Sequence, residues 1–199
     1  MRVQALREDF AREMTGVDPA RLGFVDESGA STSMTRLRGR APRGQRVSGL
    51  VPGGNWKIVT MLGAVRRDAV AVVATIPQAT DAPTFLTFIR HGLAPTLKQG
   101  DVVVMDNLSA HKPKAVREVI EQVGARLVYL PPYSPDLSPI EPCWSKAKSI
   151  LRTLAARTAQ TVSEAVTTAF AMITPADLHG CFRHCGYPLG TATRGRLAL

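Results

Sequence analysis

Residues 101–106 read Asp-Val-Val-Val-Met-Asp, an apolar run with an acid at each end. An uninterrupted apolar run of this length is typical of a β-strand that is buried on both faces, as in the parallel part of a sheet. Apolar periodicity then predicts a helix over residues 113–122, which Gly124 ends, and a second apolar strand over residues 126–130. A strand, a helix and a strand in this order predict a crossover unit with two parallel strands.

The chain before this unit predicts three antiparallel strands. Residues 21–27 form a short apolar segment that ends in acids, and Ser28-Gly29 follows as a turn signal. Residues 56–65 and 69–76 are rich in β-formers and lie close enough in sequence for a hairpin. We therefore expect an α/β fold with a mixed five-stranded sheet, three antiparallel strands followed by parallel strands, and helices packed on it.

Helices dominate the rest of the predicted fold. Residues 1–16 mix charged and apolar side chains as a surface helix does, and Thr80 or Asp81 can cap a helix that leads to the apolar run. Four prolines make residues 131–139 an irregular loop. Residues 140–156 and 163–173 then have helical periodicity.

Composition bounds the class of protein. A chain of 199 residues with 45% hydrophobic and 21% charged residues can bury a real core, which excludes disordered and collagen-like chains. No apolar run approaches the roughly 20 residues that span a bilayer. Three cysteines are too few for a disulfide framework and the first residues do not resemble a secretory signal, so we expect a reducing cytoplasm.

The positive charge is concentrated in one segment. The formal net charge is +9, and no Asp or Glu occurs between Ser28 and Arg67. Arginine suits phosphate oxygens, so we expect a polyanionic partner, nucleic acid before an anionic membrane; a solvated basic face that aids solubility is the alternative. The predicted DNA contacts are Arg36, Arg38, Arg40, Arg43, Arg46 and, further along the chain, Lys112.

Three acids stand where a catalytic site would form. Asp26 and Asp106 follow two predicted strands, and Glu141 opens a predicted helix after the proline-rich loop. Because strand ends of neighbouring strands meet at one sheet edge, we expect these carboxylates to converge. Hard oxygen ligands of this kind select Mg²⁺ or Mn²⁺, and two ions about 4 Å apart would support in-line phosphoryl transfer. Each acid alone has an ordinary explanation in turn formation or helix capping.

Three blocks of the sequence resemble a known family. The blocks are Asp26-Glu27-Ser28-Gly29, residues 103–112 (VVMDNLSAHK) and residues 130–141 (LPPYSPDLSPIE). They are similar to the signature of mariner-like bacterial insertion-sequence transposases, which belong to the DDE endonuclease superfamily and have a ribonuclease-H-like fold. The 34 residues between the second and third acids fit the mariner branch, and residues 34–44 and 182–187 are also similar.

The resemblance implies a site and an activity. Asp26, Asp106 and Glu141 would be the catalytic, metal-binding residues, with two Mg²⁺ or Mn²⁺ ions, and water and then a DNA 3′-hydroxyl would be the nucleophiles. Asn107 and His111 would orient a metal-bound water or contact a phosphate; the alternative is that both cap the helix near Pro113. One departure is that the family usually has Asn where Ser138 stands.

The resemblance also implies an organisation and partners. We expect a helical extension over residues 1–20, the catalytic domain over residues 21–158, packed helices over residues 159–188 and a disordered tail over residues 189–199. The partners would be transposon inverted repeats and target DNA, held by a homodimer in the bacterial nucleoid, with helix-turn-helix modules on a separate or frameshifted portion. The alternatives are an inactive or inhibitory DNA-binding fragment and a nuclease acting on RNA–DNA hybrids.

Overall fold

A five-stranded mixed sheet forms the centre of the molecule, as seen in a computed structural model that describes residues 2–189. The strand order is β3-β2-β1-β4-β5, with β1–β2 and β2–β3 antiparallel and β1–β4 and β4–β5 parallel. The predicted sheet is confirmed. The strands are β1 (Leu22–Ser31), β2 (Ile58–Arg66), β3 (Val70–Ile76), β4 (Val102–Met105) and β5 (Arg126–Tyr129).

Helices cover both faces of the sheet. The α-helices are α1 (Arg2–Met14), α2 (Ala82–Phe88), α3 (Lys114–Gln122), α4 (Ile140–Leu154), α5 (Ala159–Ala171) and α6 (Pro175–His184). Asp81 caps α2 by accepting a hydrogen bond from the Thr84 backbone N–H at 2.9 Å, and the helix continues as a wider turn over Ile89–Leu93. Within residues 2–189, no helix is long and apolar enough to cross a membrane.

Alternating side chains of the strands feed two apolar cores. In β4, Val102 and Val104 pack with α1, α4, α5 and α6, whereas Val103 and Met105 pack with α2 and α3. All four β4 side chains are buried, as the uninterrupted apolar run predicts. The period of two along a strand thus places the even-numbered residues of β1 and β4 on the α4 side.

The first strand is longer than the sequence indicated. We expected it to end in the acids before Ser28, but β1 runs to Ser31 because its antiparallel pairing with β2 continues as far as Ser31 opposite Ile58. The parallel pairing with β4 ends earlier, at Val25 opposite Met105. Asp26 is therefore inside β1, but at the point where β4 leaves the sheet.

One further difference concerns the start of α5, and α1 is held against the fold by specific contacts. Helix α5 begins at Ala159, four residues before the predicted start, because Thr158 and Thr161 form a reciprocal capping box. Helix α1 is docked by buried Phe10 and Met14 and by an ion pair of Arg7 with Asp136 at 2.6 Å. The predicted domain boundaries stay predictions, and residues 190–199 of the predicted tail lie outside the described residues.

Candidate active site

Asp26, Asp106 and Glu141 line one cavity of about 520 Å³. Asp26 comes from β1, Asp106 from the loop directly after β4, and Glu141 from the first turn of α4. The proline-rich loop over residues 130–138 forms most of the remaining wall, and Val25, Asn107 and Leu108 complete it. The convergence that we expected from the strand order is therefore present in the structure.

The environment of Asp26 disfavours its negative charge. Burial raises the pKa of this carboxyl to about 6, and the charges of Glu141 and Asp106 add to the rise. Hydrogen bonds from the Glu27 backbone and from Trp144 lower the pKa but do not outweigh burial. A nearby cation would remove this penalty, since opposite charge favours the ionised carboxylate.

The pKa of Asp106 is shifted in the opposite direction. Its Oδ1 atom accepts hydrogen bonds from the Leu108 backbone N–H at 3.0 Å and from His111 Nδ1 at 2.5 Å. Burial alone raises the pKa of Asp106, but these two bonds and the positive charge of Lys112 lower it below its usual value. Both bonds use Oδ1, so Oδ2 is the oxygen available to a cation.

His111 holds Asp106 from inside the protein. Its ring is fully buried and lies against Phe85, with ring centroids 4.1 Å apart. Nε2 is buried without a hydrogen-bond partner among the described residues, and Nδ1 makes the bond that links the ring to Asp106. A buried ring cannot reach a DNA phosphate, and no side chain caps α3 at Pro113.

Asn107 and Ser138 shape the cavity wall. Asn107 Nδ2 donates to the Leu130 carbonyl oxygen at 2.5 Å, which ties the loop after β4 to the end of β5. The Ser138 carbonyl oxygen accepts from the Glu141 N–H at 3.0 Å, and Ser138 is buried in the cavity wall. Neither side chain caps α3; Asn107 faces the cavity, and its predicted role stays a prediction.

The three acids fit a divalent cation by their chemistry. Carboxylate oxygens are the ligands that Mg²⁺ and Mn²⁺ prefer. The pKa of Asp26 is raised first by burial and then by the charges of Glu141 and Asp106, and a bound cation would offset these effects. In the described part of the chain, no three Asp, Glu, His or Cys side chains form a compact metal-ligand group. The carboxylates thus share one cavity and one electrostatic environment without forming a closed cage.

Trp144 is a site residue that the sequence did not reveal. Its Nε1 donates to Asp26 Oδ2 at 3.0 Å, while its ring is buried edge-on against Phe170. The ring lies over Gly63 of β2, where a Cβ atom would be 2.8 Å from Trp144 Cη2. Trp144 follows Glu141 by three residues on α4, so one rigid side chain links the elements that carry two of the three acids. The sequence feature that could have indicated this role is the position of Trp144 three residues after Glu141, where the two side chains are neighbours on the helix surface.

Replacing Trp144 by Phe should remove the hydrogen bond to Asp26 and leave a smaller aromatic ring in the buried space over Gly63. Because a hydrogen bond to a charged group contributes about 1.5–3 kcal/mol, we expect about a tenfold to hundredfold slower DNA nicking and a higher Mg²⁺ requirement. Trp56→Phe, at an exposed tryptophan, is the matched control. Unchanged Mg²⁺ dependence in Trp144→Phe would show that the bond does not position Asp26.

The predicted DNA contacts lie outside the acid cavity. Arg36 and Arg38 line a second cleft beside the C-terminal half of α4. Three further predicted contacts, Arg40, Arg43 and Arg46, are exposed in the same loop. Lys112 is exposed near Asp106.

The fold and the position of the acids define the class. The sheet and its helices are similar to the solved "catalytic domain of Mos1 mariner transposase", with a TM-score of 0.62 and 15% identity, covering 92% of this chain and 86% of that one. The ribonuclease-H-like prediction is confirmed. A family model described as "DDE superfamily endonuclease" matches residues 21–164, and the chain belongs to this family.

Two larger assemblies are also similar. "Crystal structure of the Mos1 mariner paired end complex with Mn" matches with a TM-score of 0.72 and 16% identity, covering 92% of this chain and 58% of that chain. "Crystal structure of the Mos1 Strand Transfer Complex" matches with a TM-score of 0.65 and 16% identity, covering 92% of this chain and 56% of that chain. This chain thus spans less than two thirds of those transposase chains. No curated protein sequence matches it.

Proposed function

We propose that this chain is a transposase catalytic domain that cleaves DNA at transposon ends and transfers the freed strand into target DNA. The observation that carries the proposal is the convergence of Asp26, Asp106 and Glu141 on one cavity. Burial raises the pKa of Asp26 there, and the charges of Glu141 and Asp106 add to the rise. Membership of an endonuclease family supports it. The similar Mos1 structures include a complex "with left transposon end" and complexes with Mg or Mn.

The reaction is an in-line displacement at a DNA phosphorus. The oxygen of water forms a new P–O bond in cleavage, the P–O3′ bond breaks, and the leaving 3′-oxygen takes up a proton. In strand transfer the same displacement uses the DNA 3′-hydroxyl as nucleophile, so no covalent enzyme intermediate is needed. Two Mg²⁺ or Mn²⁺ ions held by the three acids would, when bound, acidify the attacking oxygen and neutralise the leaving one.

The protein's own contribution is to hold three carboxylates in place. Trp144 orients Asp26, and His111 orients Asp106. The proline-rich loop that delivers Glu141 is fixed by the Tyr187 hydroxyl, which donates to the Leu137 carbonyl oxygen at 2.8 Å. Rigid placement of this kind lowers the barrier because the groups need no reorganisation during the reaction.

The partners belong to the same proposal. A homodimer holding two transposon ends is supported by the paired-end complexes of the similar Mos1 structures. Helix-turn-helix modules on a separate or frameshifted portion, and a bacterial, cytoplasmic and nucleoid-associated location, stay predictions from the sequence. The resemblance to insertion-sequence elements is the basis for both.

Nicking of supercoiled plasmid DNA tests the proposed activity. We expect open-circular product with MgCl₂ or MnCl₂ and none with EDTA, because the three acids need a divalent cation to act. An RNA–DNA hybrid of equal length serves as the competing substrate and should be cut more slowly. Binding of DNA without any metal-dependent nicking would contradict the proposal and favour an inhibitory DNA-binding fragment.

A further inference from the structure

A second cleft lies at the other end of α4 from the acid cavity. It has a volume of about 730 Å³, and its walls are two limbs of the loop between β1 and β2, residues 35–39 and 47–51, with Arg152 of α4. The exposed side of α4 continues it through Ser145 and Ser149, which line a contiguous groove with Arg36 and Arg38. We call this the arginine cleft, defined by Arg36, Arg38 and Arg152.

The loop that forms the cleft is held in shape although it has no regular secondary structure. Its ends are joined by the Thr32 N–H, which donates to the Lys57 carbonyl oxygen at 2.9 Å. Arg157 Nη1 donates to the Met34 carbonyl oxygen at 2.8 Å and so fixes the first limb beside the end of α4. The two limbs touch where Gly39 faces Val47, and a Cβ atom at Gly39 would lie 2.5 Å from Val47 Cγ1. These contacts place Arg36 and Arg38 beside the C-terminal end of α4.

The charge of the arginine cleft is uncompensated. No acid lines it, and none of its three arginines forms an ion pair within residues 2–189. In contrast, Arg66 and Arg126 elsewhere each pair with an acid at 2.7 Å. Three guanidinium groups that face one space repel each other and favour an anion with several oxygens. A phosphate matches the planar donor fork of arginine, and serine hydroxyls can donate to it as well.

Helix α4 connects the arginine cleft to the acid cavity in a straight line. Arg152 follows Glu141 by eleven residues. At about 1.5 Å and about 100° per residue, these side chains lie about 16 Å apart along the axis and within about 20° around it. Ser145 and Lys148 lie between them on the same face by the same spacing. At about 3.4 Å per nucleotide of one duplex strand, 16 Å corresponds to about five nucleotide steps.

We propose that the arginine cleft binds one or two backbone phosphates of the DNA strand that reacts at the acid cavity, about five nucleotide steps from the reacting linkage. The inference rests on the proposed function, because it places the reacting strand along α4. The ligand is the phosphodiester backbone, since the cleft offers guanidinium and hydroxyl groups suited to phosphate. The cleft therefore fixes the distance along the strand without reading its sequence.

Binding to a fluorescein-labelled 30-base-pair duplex in EDTA, measured by anisotropy over a series of NaCl concentrations, tests the site. For Arg36→Gln/Arg38→Gln/Arg152→Gln we expect a Kd raised about tenfold or more and a salt slope smaller by about 1 to 2. Arg90→Gln is the matched control, since Arg90 is exposed on the helices of the other sheet face. A triple variant with the Kd and salt slope of Arg90→Gln would overturn the proposal and leave an acidic protein surface as the partner that the cleft fits.

A second measurement tests the distance. Single neutral methylphosphonate linkages are placed at successive steps from a mapped nick, and we expect the greatest loss of binding about five steps away, with no loss at that step in the triple variant. The greatest loss at a different step, or an equal loss in both proteins, would contradict the geometry. If the wild-type chain nicks DNA but the salt slope of the triple variant is unchanged, the arginine cleft alone is rejected. If the triple variant has a reduced salt slope but the wild-type chain shows no metal-dependent nicking, the proposed function alone is rejected.

Discussion

Asp106→Asn should abolish metal-dependent DNA nicking, with a rate at least about 10³-fold below that of the wild-type chain. The expected loss is this large because the substitution replaces Oδ2, the oxygen free to bind a cation, by an amide nitrogen. Charge stabilisation by a bound metal contributes several kcal/mol to such a transition state, and each 1.4 kcal/mol is about tenfold in rate. The measurement is plasmid nicking in MgCl₂ and, separately, in MnCl₂.

The fold of this variant should survive. Asparagine keeps an oxygen at the Oδ1 position, which can still accept from the Leu108 N–H and from His111 Nδ1. Circular dichroism and cooperative thermal unfolding should therefore resemble those of the wild-type chain, and DNA binding in EDTA should be retained. Retained binding without nicking separates loss of chemistry from loss of structure.

The control for this substitution is Asp68→Asn. Asp68 is exposed in the turn between β2 and β3 and pairs with Arg67 and with His179 of α6, and exposed pairs of this kind contribute little to stability. Nicking by Asp68→Asn should equal that of the wild-type chain. Full activity in Asp106→Asn would place the catalytic metal elsewhere and remove the basis for the proposed active site.

Strand β4 and the positions of Asp106 and Glu141 could be predicted, because each depends on the residues directly beside it in the sequence. The apolar run of β4 is buried on both faces, and Asp106 directly follows it. Glu141 opens α4 directly after the proline-rich loop, as a proline-rich stop followed by a helical period indicates. These features need no knowledge of distant partners.

The missed features depend on contacts between distant parts of the chain. β1 extends to Ser31 only because Ile58 lies opposite, and no local signal in Ser28-Gly29 shows that pairing. Trp144 becomes a site residue only because Asp26 lies within hydrogen-bond distance of its ring nitrogen and Gly63 leaves room for the ring. An aromatic side chain on an apolar helix face predicts packing, and its polar atom gains a role only from the neighbour it meets.

Asp26→Asn should stabilise the metal-free protein at pH 8. Burial raises the pKa of Asp26 to about 6 in the folded chain, from an ordinary value of 3.8. Between about pH 4 and pH 6 the folded state therefore binds more protons than the unfolded state, so the free energy of unfolding falls as the pH rises through this window. Above it the full penalty of about 2–3 kcal/mol is present, at about 1.4 kcal/mol per pKa unit. Asparagine carries no charge and removes the penalty.

Urea unfolding in EDTA at pH 4 and pH 8 measures this difference. We expect the variant to exceed the wild-type chain by about 2–3 kcal/mol at pH 8 and by much less at pH 4, where both side chains are neutral in the folded state. Asp9→Asn, at an exposed acid of α1, is the control for the exchange of a carboxylate for an amide. An equal gain at both pH values would show that packing, and not the buried charge, separates Asn from Asp at this position. A gain confined to pH 8 means that the fold tolerates Asp26 at a cost, as expected for a carboxylate placed to bind a cation.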